Sequence, residues 1–260
     1  MIRALSSAST GLEAQQANIE RISNDLANVN TDGYKRGRIE FKDLMYETIK
    51  EPGAQLGSGS QTPVGIQQGM GVRVGANNKV FEQGPARMTY HQLDLMIEGS
   101  GFFPVQMPNG EIAYTRSGAF HRDPAGKLVL GSGAKLIPEI TIPPNASGLN
   151  IAANGEVKVG LPGGQESVIG QIQLVTFMNE EGLSSAGEGI LKATSASGAP
   201  LQGVPGENGM GSVLQGALEG SNVNVANSMV ELIQAQRAYE MNTKVMSVAD
   251  QMMGATSNIK

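Results

Sequence analysis

The chain begins with a heptad pattern of apolar residues, which constrains its fold more than any other feature. Apolar positions recur at alternating spacings of 3 and 4 residues, with a single polar exception, so they form one stripe along an α-helix. The stripe consists of Leu5, Ala8, Leu12, Gln15, Ile19, Ile22, Leu26 and Val29. The opposite face carries Arg3, Glu13, Glu20 and Arg21. We expect the helix to end between Asn30 and Gly33, because Asn and Gly adopt left-handed backbone conformations easily.

A second helix is predicted from Asn222 to Met253, and it carries apolar residues on two faces. One face holds Val225, Met229, Leu232, Ala235, Tyr239, Met246 and Met253. The other face, on nearly the opposite side, holds Val230, Met241, Val245, Val248 and Met252. A helix with one apolar stripe needs one partner, and a helix with two needs at least two.

The two faces suggest two kinds of contact. Burying a Leu, Ile or Met side chain gains about 1.5–3 kcal/mol, so an exposed second face would forgo several kcal/mol. We therefore expect the terminal helices to pair within one chain through Leu5, Leu12, Ile19, Ile22, Leu26, Leu232, Tyr239 and Met246. The second face, Val230, Met241, Val245, Val248 and Met252, is then expected to contact neighbouring subunits. The alternative is a helical pair that packs on its own β-domain.

Between the helices, the sequence favours strands and turns. Residues 51–71 are rich in Gly, Ser, Gln and Pro and are expected to form a long loop or extended arm, with a disordered linker as the alternative. Further on, Asn154-Gly155 separates two short apolar runs, which is a hairpin signal, and residues 169–177 alternate like one strand. No helical pattern of comparable strength intervenes, so βαβ units are not expected. The predicted fold class is α+β: two terminal helices paired as a coiled coil, an inserted antiparallel β-domain and an extended arm.

Composition excludes several partner classes. The net charge of −5 and pI of about 5.2 argue against nucleic acid and anionic membranes, since both attract basic surfaces. The sequence contains no apolar run of about 18 residues, so no membrane span is predicted. The N-terminal residues lack the apolar core of a cleavable signal peptide. If the missing secretory signal were the only criterion, the chain would be expected in the cytoplasm. With 0 Cys, the chain has neither disulfides nor thiolate metal ligands.

The residues that usually carry catalysis do not form a recognisable set. His91 and His121 lie in no metal-binding pattern, and the glycine clusters lack the spacing of a phosphate loop. Residues 57–60, Gly-Ser-Gly-Ser, have no partner set for a nucleophile, and Glu180-Glu181 is typical of a turn. Two distant carboxylates could still form a glycosidase pair, which sequence alone leaves open. We predict no catalytic residue, no metal and no cofactor.

Segments at both ends resemble the signatures of the flagellar rod and hook protein family. Residues 23–36, SNDLANVNTDGYKR, are similar to the N-terminal signature, and residues 219–226 and 229–242 are similar to the C-terminal one. The signature positions are Asn24, Asn28, Asn30, Gly33, Tyr34, Lys35, Asn222, Asn224, Gln236, Arg237 and Tyr239. Residues 94–103 and 113–120 resemble the β-domain that the longer members share. Residues 51–55 and 69–73 resemble an arm inserted in the members that build the distal rod.

The resemblance implies an organisation in three parts. Residues 1–31 and 221–260 would form a helical inner tube, residues 32–71 and 205–220 would connect outward, and residues 72–204 would form an antiparallel outer β-domain. It also implies a structural subunit that polymerises into the distal rod, the drive shaft of the bacterial flagellar basal body, and transmits motor torque to the hook without catalysis. The arm would be ordered in the polymer by neighbouring subunits.

The resemblance further implies partners and a location. The partners would be copies of the chain itself, proximal rod proteins, the hook protein, the outer-membrane and peptidoglycan ring proteins, and the flagellar type III export apparatus, with no nucleic acid and no direct membrane insertion. The location would be the periplasm-spanning rod of the basal body, reached without a cleavable signal peptide. Three alternatives stay open: another rod or hook subunit, a secreted enzyme or glycan-binding β-domain with helical ends, and a soluble two-domain monomer.

Overall fold

The computed structural model describes residues 2–51, 55–56, 60–61, 64–146, 148–161 and 166–257. The chain divides into two compact units, each of which is assembled from distant parts of the sequence. Unit 1 comprises Met1–Leu26, Gly37–Asn78 and Asn224–Lys260, and unit 2 comprises Ala27–Arg36 and Lys79–Val223. The α+β class predicted from the sequence is confirmed, because helices stand at both ends of a β-rich body.

Unit 1 contains both long helices. Helix α1 spans Ile2–Ala27 and helix α2 spans Val225–Ser257. Helix α1 ends before the predicted Asn-Gly stop and passes into a turn in which the Thr31 N–H donates to the Asn28 carbonyl at 3.1 Å. Helix α2 begins after Asn224, whose side-chain oxygen accepts the Asn227 N–H at 3.1 Å. This N-cap satisfies a backbone donor of the first turn, which explains why the helix starts later than predicted.

Unit 1 also contains six strands, which pair two by two. Their bounds are β1 Gly37–Asp43, β2 Tyr46–Lys50, β3 Gln55–Leu56, β4 Ser60–Gln61, β5 Ile66–Gly69 and β6 Val72–Lys79. Strand β1 pairs with β6, β2 with β5 and β3 with β4. The segment predicted as a loop or arm therefore includes a ladder of antiparallel pairs. In that ladder Tyr46 lies opposite Gly69, whose missing side chain leaves room for the Tyr46 ring.

Unit 2 is built from short antiparallel strands. They are β7 Ala86–Met88, β8 Leu95–Glu98, β9 Phe103–Gln106, β10 Ile112–Thr115, β11 Phe120–Arg122, β12 Leu128–Leu130, β13 Lys135–Leu136, β14 Gly148–Ile151, β15 Glu156–Gly160, β16 Glu166–Gln171, β17 Leu174–Thr176, β18 Ser184–Gly187, β19 Ile190–Lys192, β20 Leu201–Gly203, β21 Ser212–Gln215 and β22 Ala217–Glu219. The largest sheet has the order β11-β12-β13-β9-β10-β19-β18, and β14-β15-β16 form a second sheet. A short 3-10 helix spans Glu180–Gly182.

The Asn-Gly hairpin signal is confirmed, whereas the single strand over residues 169–177 is wrong. Strands β14 and β15 pair around Asn154-Gly155, and Gly155 has a φ of 78°. Downstream, the chain changes partner: β16 pairs with β15, but β17 pairs with β20. The break occurs at Ile172, whose N–H donates to the Gly155 carbonyl at 2.7 Å. Apolar residues continue to alternate with a period of two across this change of sheet, so the sequence pattern cannot reveal where one strand ends.

Residues 205–220, which the sequence assigns to a connecting segment, carry two paired strands of unit 2. Strand β21 pairs with β8, and β22 pairs with β7. This places Glu219, the last residue of β22, in the interior of unit 2.

The core of unit 2 is aliphatic with two aromatic groups. Phe103 and Phe120 lie in the main cluster, with ring centroids 5.4 Å apart in an edge-to-face arrangement. A second cluster contains Phe102, Tyr114 and Phe177, and the Tyr114 and Phe177 centroids are 4.8 Å apart. Edge-to-face pairs of this kind add about 0.5–1.5 kcal/mol beyond their buried area.

Candidate assembly surfaces and the buried ion network

Helix α2 has one covered stripe, and most of the rest of its surface is exposed. The covered or half-covered positions recur at helical spacing and consist of Ser228, Leu232, Ala235, Ala238, Asn242, Met246, Ala249 and Met253. At about 100° per residue, this stripe occupies one side of the helix. Within this unit, therefore, α2 buries one face only.

The residues predicted to contact other subunits lie away from that stripe. Val230, Met241, Val245, Val248 and Met252 are between 49% and 62% exposed. Ile233 and Met229 are also exposed, but at about 100° per residue they lie to one side of these five. Val230, Met241, Val245, Val248 and Met252 lie within about 60° of one another around the helix axis, and we call these five residues the free face of α2.

The residues predicted to pair the helices have different degrees of burial. Ile22 is fully buried, and Leu5, Leu12, Ile19, Leu26, Leu232 and Met246 are half-buried. Tyr239 is 36% exposed and lies at the margin of the covered stripe. Four alanines on the two helices, Ala8, Ala14, Ala235 and Ala249, are also buried.

In the described residues, α1 approaches α2 at an ion pair and at a glycine. Arg21 Nη2 lies 3.0 Å from Glu231 Oε2, and a Cβ built on Gly11 would lie 3.1 Å from Asn242 Nδ2. The contact that lies earlier in α1 lies later in α2, as expected for antiparallel helices. Arg21, which lies on the face opposite the apolar stripe, also donates to Asp25 at 3.1 Å and to the Gly37 carbonyl at 3.3 Å.

The N-terminal signature places Lys35 in the interior of unit 2. Lys35 Nζ donates to Glu219 Oε1 at 2.6 Å and to the Glu82 carbonyl at 2.7 Å. Arg116 Nε donates to the other carboxylate oxygen of Glu219 at 2.7 Å, and the Gly84 N–H donates to Oε1 at 2.9 Å. The side chain of Glu219 is fully buried, and those of Lys35 and Arg116 nearly so. We call Lys35, Arg116 and Glu219 the buried ion network.

Burial opposes the charges of this network. Desolvation lowers the pKa of Lys35, and the nearby Glu219 carboxylate works in the opposite direction. Close by, burial raises the pKa of Glu180, while Arg116 and Lys35 oppose that rise. Arg116 also lies over the Phe102 ring, 5.9 Å from its centroid. The charges are held by hydrogen bonds on all three members, and removing one member would leave the others buried without compensation.

Other signature residues hold the two ends of the unit 2 sequence together. Asn222 Oδ1 accepts the Arg36 N–H at 2.7 Å, and its Nδ2 donates to the Val80 carbonyl at 2.8 Å. The Gly33 N–H donates to the Glu219 carbonyl at 2.7 Å. Gly33 has a φ of 71°, and a Cβ there would lie 2.8 Å from the Ser117 nitrogen. Only glycine satisfies both conditions.

The remaining signature residues are not brought into this cluster. Tyr34 is half-buried, with Lys79 Nζ 5.5 Å from its ring centroid, and Asn28 is half-buried. Asn24 and Asn30 are exposed at the end of α1. Asn224 is exposed at the N-cap of α2, and Gln236 and Arg237 are exposed along it.

Sequence reasoning missed Glu219 and Arg116 as functional residues. Both lie inside segments used for the resemblance, but neither was singled out. The available signal is a charge in an otherwise apolar strand: Glu219 follows Ala217 and Leu218, and Arg116 follows Ala113, Tyr114 and Thr115. A charge in such a place is either on an edge or buried with partners.

Among the described residues, no group of three or more His, Asp or Glu side chains could hold a metal ion. None of the helices described is both long and apolar enough to cross a membrane.

Three family models match this chain. The model described as Flagella basal body rod protein matches residues 5–35, and Flagellar hook protein FlgE/F/G D1 domain matches residues 96–159. Flagellar basal body rod FlgEFG protein C-terminal matches residues 214–259. The matched segments include both signatures and much of the β-rich middle.

Relatives that match over the full length are flagellar rod proteins. Flagellar basal-body rod protein FlgG of Buchnera aphidicola subsp. Acyrthosiphon pisum is 47% identical over 260 residues, covering 100% of both chains. The protein of that name from Caulobacter vibrioides is 47% identical over 261 residues, again covering 100% of both. The crystal structure of the Helicobacter pylori flagellar hook protein FlgE2 aligns at 13% identity and a TM-score of 0.26, covering 61% of this chain and 46% of that one. That similarity is too low to support a statement about the fold.

Proposed function

The chain belongs to the flagellar basal-body rod protein family, and we propose that it is a structural subunit that polymerises into the distal rod. In this role the protein passes motor torque to the hook by its stiffness and performs no catalysis. Membership of a structural family supports the non-catalytic role. The free face of α2 supports the polymerisation.

The free face carries the argument for assembly. Its apolar side chains lie beside the stripe that the rest of unit 1 covers, so one copy leaves them in water. Burying the exposed half of each of these side chains contributes on the order of 1 kcal/mol, and five of them contribute about 5 kcal/mol per subunit contact. An apolar band of this kind on a soluble chain typically marks an interface.

Within the chain, we propose that α1 and α2 pair as an antiparallel coiled coil. The Arg21–Glu231 ion pair and the close approach of Gly11 to Asn242 support an antiparallel order. The buried alanines allow the helix backbones to approach closely. The predicted pairing residues, Tyr239 included, stay a hypothesis until each has been substituted.

Assembly through the free face would align α2 of successive copies. In the proposed rod the terminal helices form the inner tube, and helices packed along the length of a tube resist twisting. Torque then passes from copy to copy through many small apolar contacts. No bond has to form or break.

The family name supports a location and a first set of partners. We propose that the protein resides in the flagellar basal body, and that it contacts copies of itself, proximal rod proteins and the hook protein. Contacts with the outer-membrane and peptidoglycan rings, and passage through the flagellar type III export apparatus, are further proposals that follow from a rod crossing the periplasm. The ordering of the arm at residues 51–71 by neighbouring copies belongs to the same proposal.

A charge placed on the free face tests the proposed function. Val248→Asp would bury an unpaired carboxylate in each subunit contact, which costs several kcal/mol. We expect it to abolish rod formation, observed by electron microscopy of isolated basal bodies, while unit 2 keeps its hydrogen-exchange protection.

The matched control is Ser247→Asp. Ser247 is an exposed neighbour on α2, and at about 100° per residue it lies on the polar side of the helix. We expect normal rods from this variant. Normal rods from Val248→Asp would show that the free face does not mediate assembly.

A further inference from the structure

Unit 2 has a surface groove that none of the contacts described above uses. It has a volume of about 350 Å³ and is lined by the turn Tyr90 to Leu93, by Arg122 and by residues around β14. Its floor is aliphatic, formed by Leu93, Ile142, Ala146 and Leu149. Pockets of this size with an apolar floor and a few polar groups are typical binding sites.

The wall of the groove contains a strained aromatic residue. Tyr90 has a φ of 58° and is 84% exposed. A bulky residue in the left-handed region is a genuine outlier, and such strain concentrates at functional sites. Because the Tyr90 ring is exposed, its burial does not stabilise the fold. Packing of the ring therefore does not explain why the backbone adopts the left-handed conformation.

The turn that carries Tyr90 is held rigidly. The Thr89 and Tyr90 N–H groups both donate to the Gly216 carbonyl at 2.9 Å. Thr89 Oγ1 donates to Asp94 Oδ2 at 2.6 Å, and His91 Nδ1 lies 3.4 Å from Asp94 Oδ1. These bonds hold the backbone that carries the exposed Tyr90 ring.

The opposite rim supplies a positive charge. Arg122, the last residue of the edge strand β11, is exposed and forms no hydrogen bond or ion pair with any residue that the structure describes. Of the residues that line the groove, Arg122 and His91 can carry a charge, and His91 lies next to Asp94. A ligand with an apolar group for the floor and a carboxylate for Arg122 matches this lining.

A sugar chain fits less well. Its hydroxyl groups would lie on the aliphatic floor without hydrogen-bond partners, and burying an unpaired hydroxyl is unfavourable. An apolar side chain with a neighbouring carboxylate, in a protein segment, satisfies both parts of the groove.

The chain itself has such a segment between β1 and β2. Met45 is 83% exposed, and Asp43, two residues earlier, is exposed, with no hydrogen bond or ion pair to its carboxylate within the described part of the chain. Leu44 between them is tied back, since its N–H donates to the Gly71 carbonyl at 2.9 Å. Methionine sulfur also makes favourable contacts with aromatic rings such as that of Tyr90.

Met178 is equally exposed but lacks a comparable carboxylate. The acidic residues that follow it are Glu180, which is half-buried beside Arg116 and Lys35, and Glu181, which has an interaction of its own. Met178 therefore serves as a matched control.

We propose that the Tyr90 groove receives Met45 of a second copy, with Asp43 of that copy paired to Arg122. This inference rests on the proposed function, because it assigns a site to one contact of the polymer. The contact joins a surface of unit 1 on one copy to a different surface of unit 2 on the next. Head-to-tail contacts of this type generate open filaments when the rotation does not close a ring.

Single cysteines test the contact, because the native chain has 0 Cys. Gly148 lines the groove, and a Cβ there has open space around it. Cells would express two variants together, Met45→Cys and Gly148→Cys, and basal bodies would be isolated and oxidised. We expect a disulfide-linked dimer that contains one of each variant, since bridging requires the two Cα atoms to lie within about 7 Å.

The control combines Met178→Cys with Gly148→Cys and should give no such dimer. Normal rods without the Met45–Gly148 dimer, or a dimer of equal yield in the control, would overturn the groove contact and leave the proposed function intact. Absence of the unmodified chain from isolated rods would overturn the proposed function itself.

A charge reversal provides the second measurement. It tests the groove contact even if a cysteine variant fails to assemble. Arg122→Glu should reduce incorporation into rods about fivefold, as expected for one exposed ion pair. Combining it with Asp43→Lys in the same chain should restore incorporation. Failure of the double variant to recover, or full incorporation of Arg122→Glu alone, would contradict the pairing.

Discussion

The two units of this protein differ in how completely they bury their own apolar residues. In the described part of unit 1, the buried apolar residues are Ala8, Ala14, Ile22, Ala235 and Ala249. Unit 2 buries large side chains from most of its strands, such as Leu95, Phe102, Phe103 and Phe120, each at most 1% exposed. Unit 2 therefore contains a complete core, and unit 1 contains two long helices with little core between them.

The two units therefore depend on different sources of stability. A unit with its own core is stable in a single copy, whereas a unit with a large exposed apolar surface gains stability when copies associate. We therefore expect substitutions in the interior of unit 2 to lower folding stability, and substitutions on the surface of unit 1 to lower assembly. The following changes test that division.

The largest effect is expected in the buried ion network. Glu219→Gln would leave Lys35 and Arg116 as buried cations without a counter-charge, and such a loss costs about 3–5 kcal/mol. Denaturant unfolding, followed by hydrogen exchange at unit 2 amides, would measure the change in the free energy of unfolding.

Glu82→Gln is the matched control, because the Arg36–Glu82 pair is exposed, with side chains 44% and 69% accessible. Loss of such a pair costs about 0–1 kcal/mol. Equal losses at Glu219 and Glu82 would show that unit 2 does not depend on its network.

A smaller effect is expected at Gly33. Gly33→Ala adds a left-handed alanine and an overlap with the backbone of Ser117, and together these cost about 3 kcal/mol. Gly110→Ala is the control, since Gly110 has a φ of 86° but no atom within 4 Å of a built Cβ. The control should lose only about 1–2 kcal/mol, the cost of the left-handed conformation itself. Thermal unfolding of both variants would separate crowding from conformation, and identical melting temperatures would rule out crowding at Gly33.

The smallest effect on folding is expected in unit 1. Asp25 accepts hydrogen bonds from the Gly37 N–H at 3.0 Å and from Arg21 at 3.1 Å. Asp25→Asn keeps the shape but weakens the charged hydrogen bond, at a cost of about 1–2 kcal/mol. Exchange should increase at the α1 and β1 amides and stay unchanged in unit 2.

The exposed Glu20→Gln on the same helix should change stability by at most about 0.5 kcal/mol. Increased exchange throughout unit 2 would break the division between the units.

The parts of the fold that local patterns determine could be predicted from the sequence. The heptad from Leu5 predicted α1, and the apolar spacing predicted α2. Asn154-Gly155 predicted its hairpin because a two-residue turn with positive φ favours that dipeptide. The resemblance of both ends identified the family.

The rest depends on distant pairing. Glu219 meets Lys35 across most of the sequence, and no local period signals a buried charge with partners. The end of one strand at Ile172 also depends on which sheet the chain joins next. Arg21 lies on the polar side of the heptad by angle, but strand β1 and helix α2 cover it from outside its own helix. In each case the deciding neighbour comes from another element.

The buried ion network also sets an order of events as the chain emerges from its N-terminal end. Lys35 is available early, but its partner is separated from it by 184 positions and follows nearly all of the β-rich middle. Before Glu219 is available, Lys35 and Arg116 lack the carboxylate that they share, and the interior of unit 2 is incomplete. Unit 2 therefore completes its interior only when nearly all of its own sequence is available, because the carboxylate that Lys35 and Arg116 share lies close to the end of that sequence.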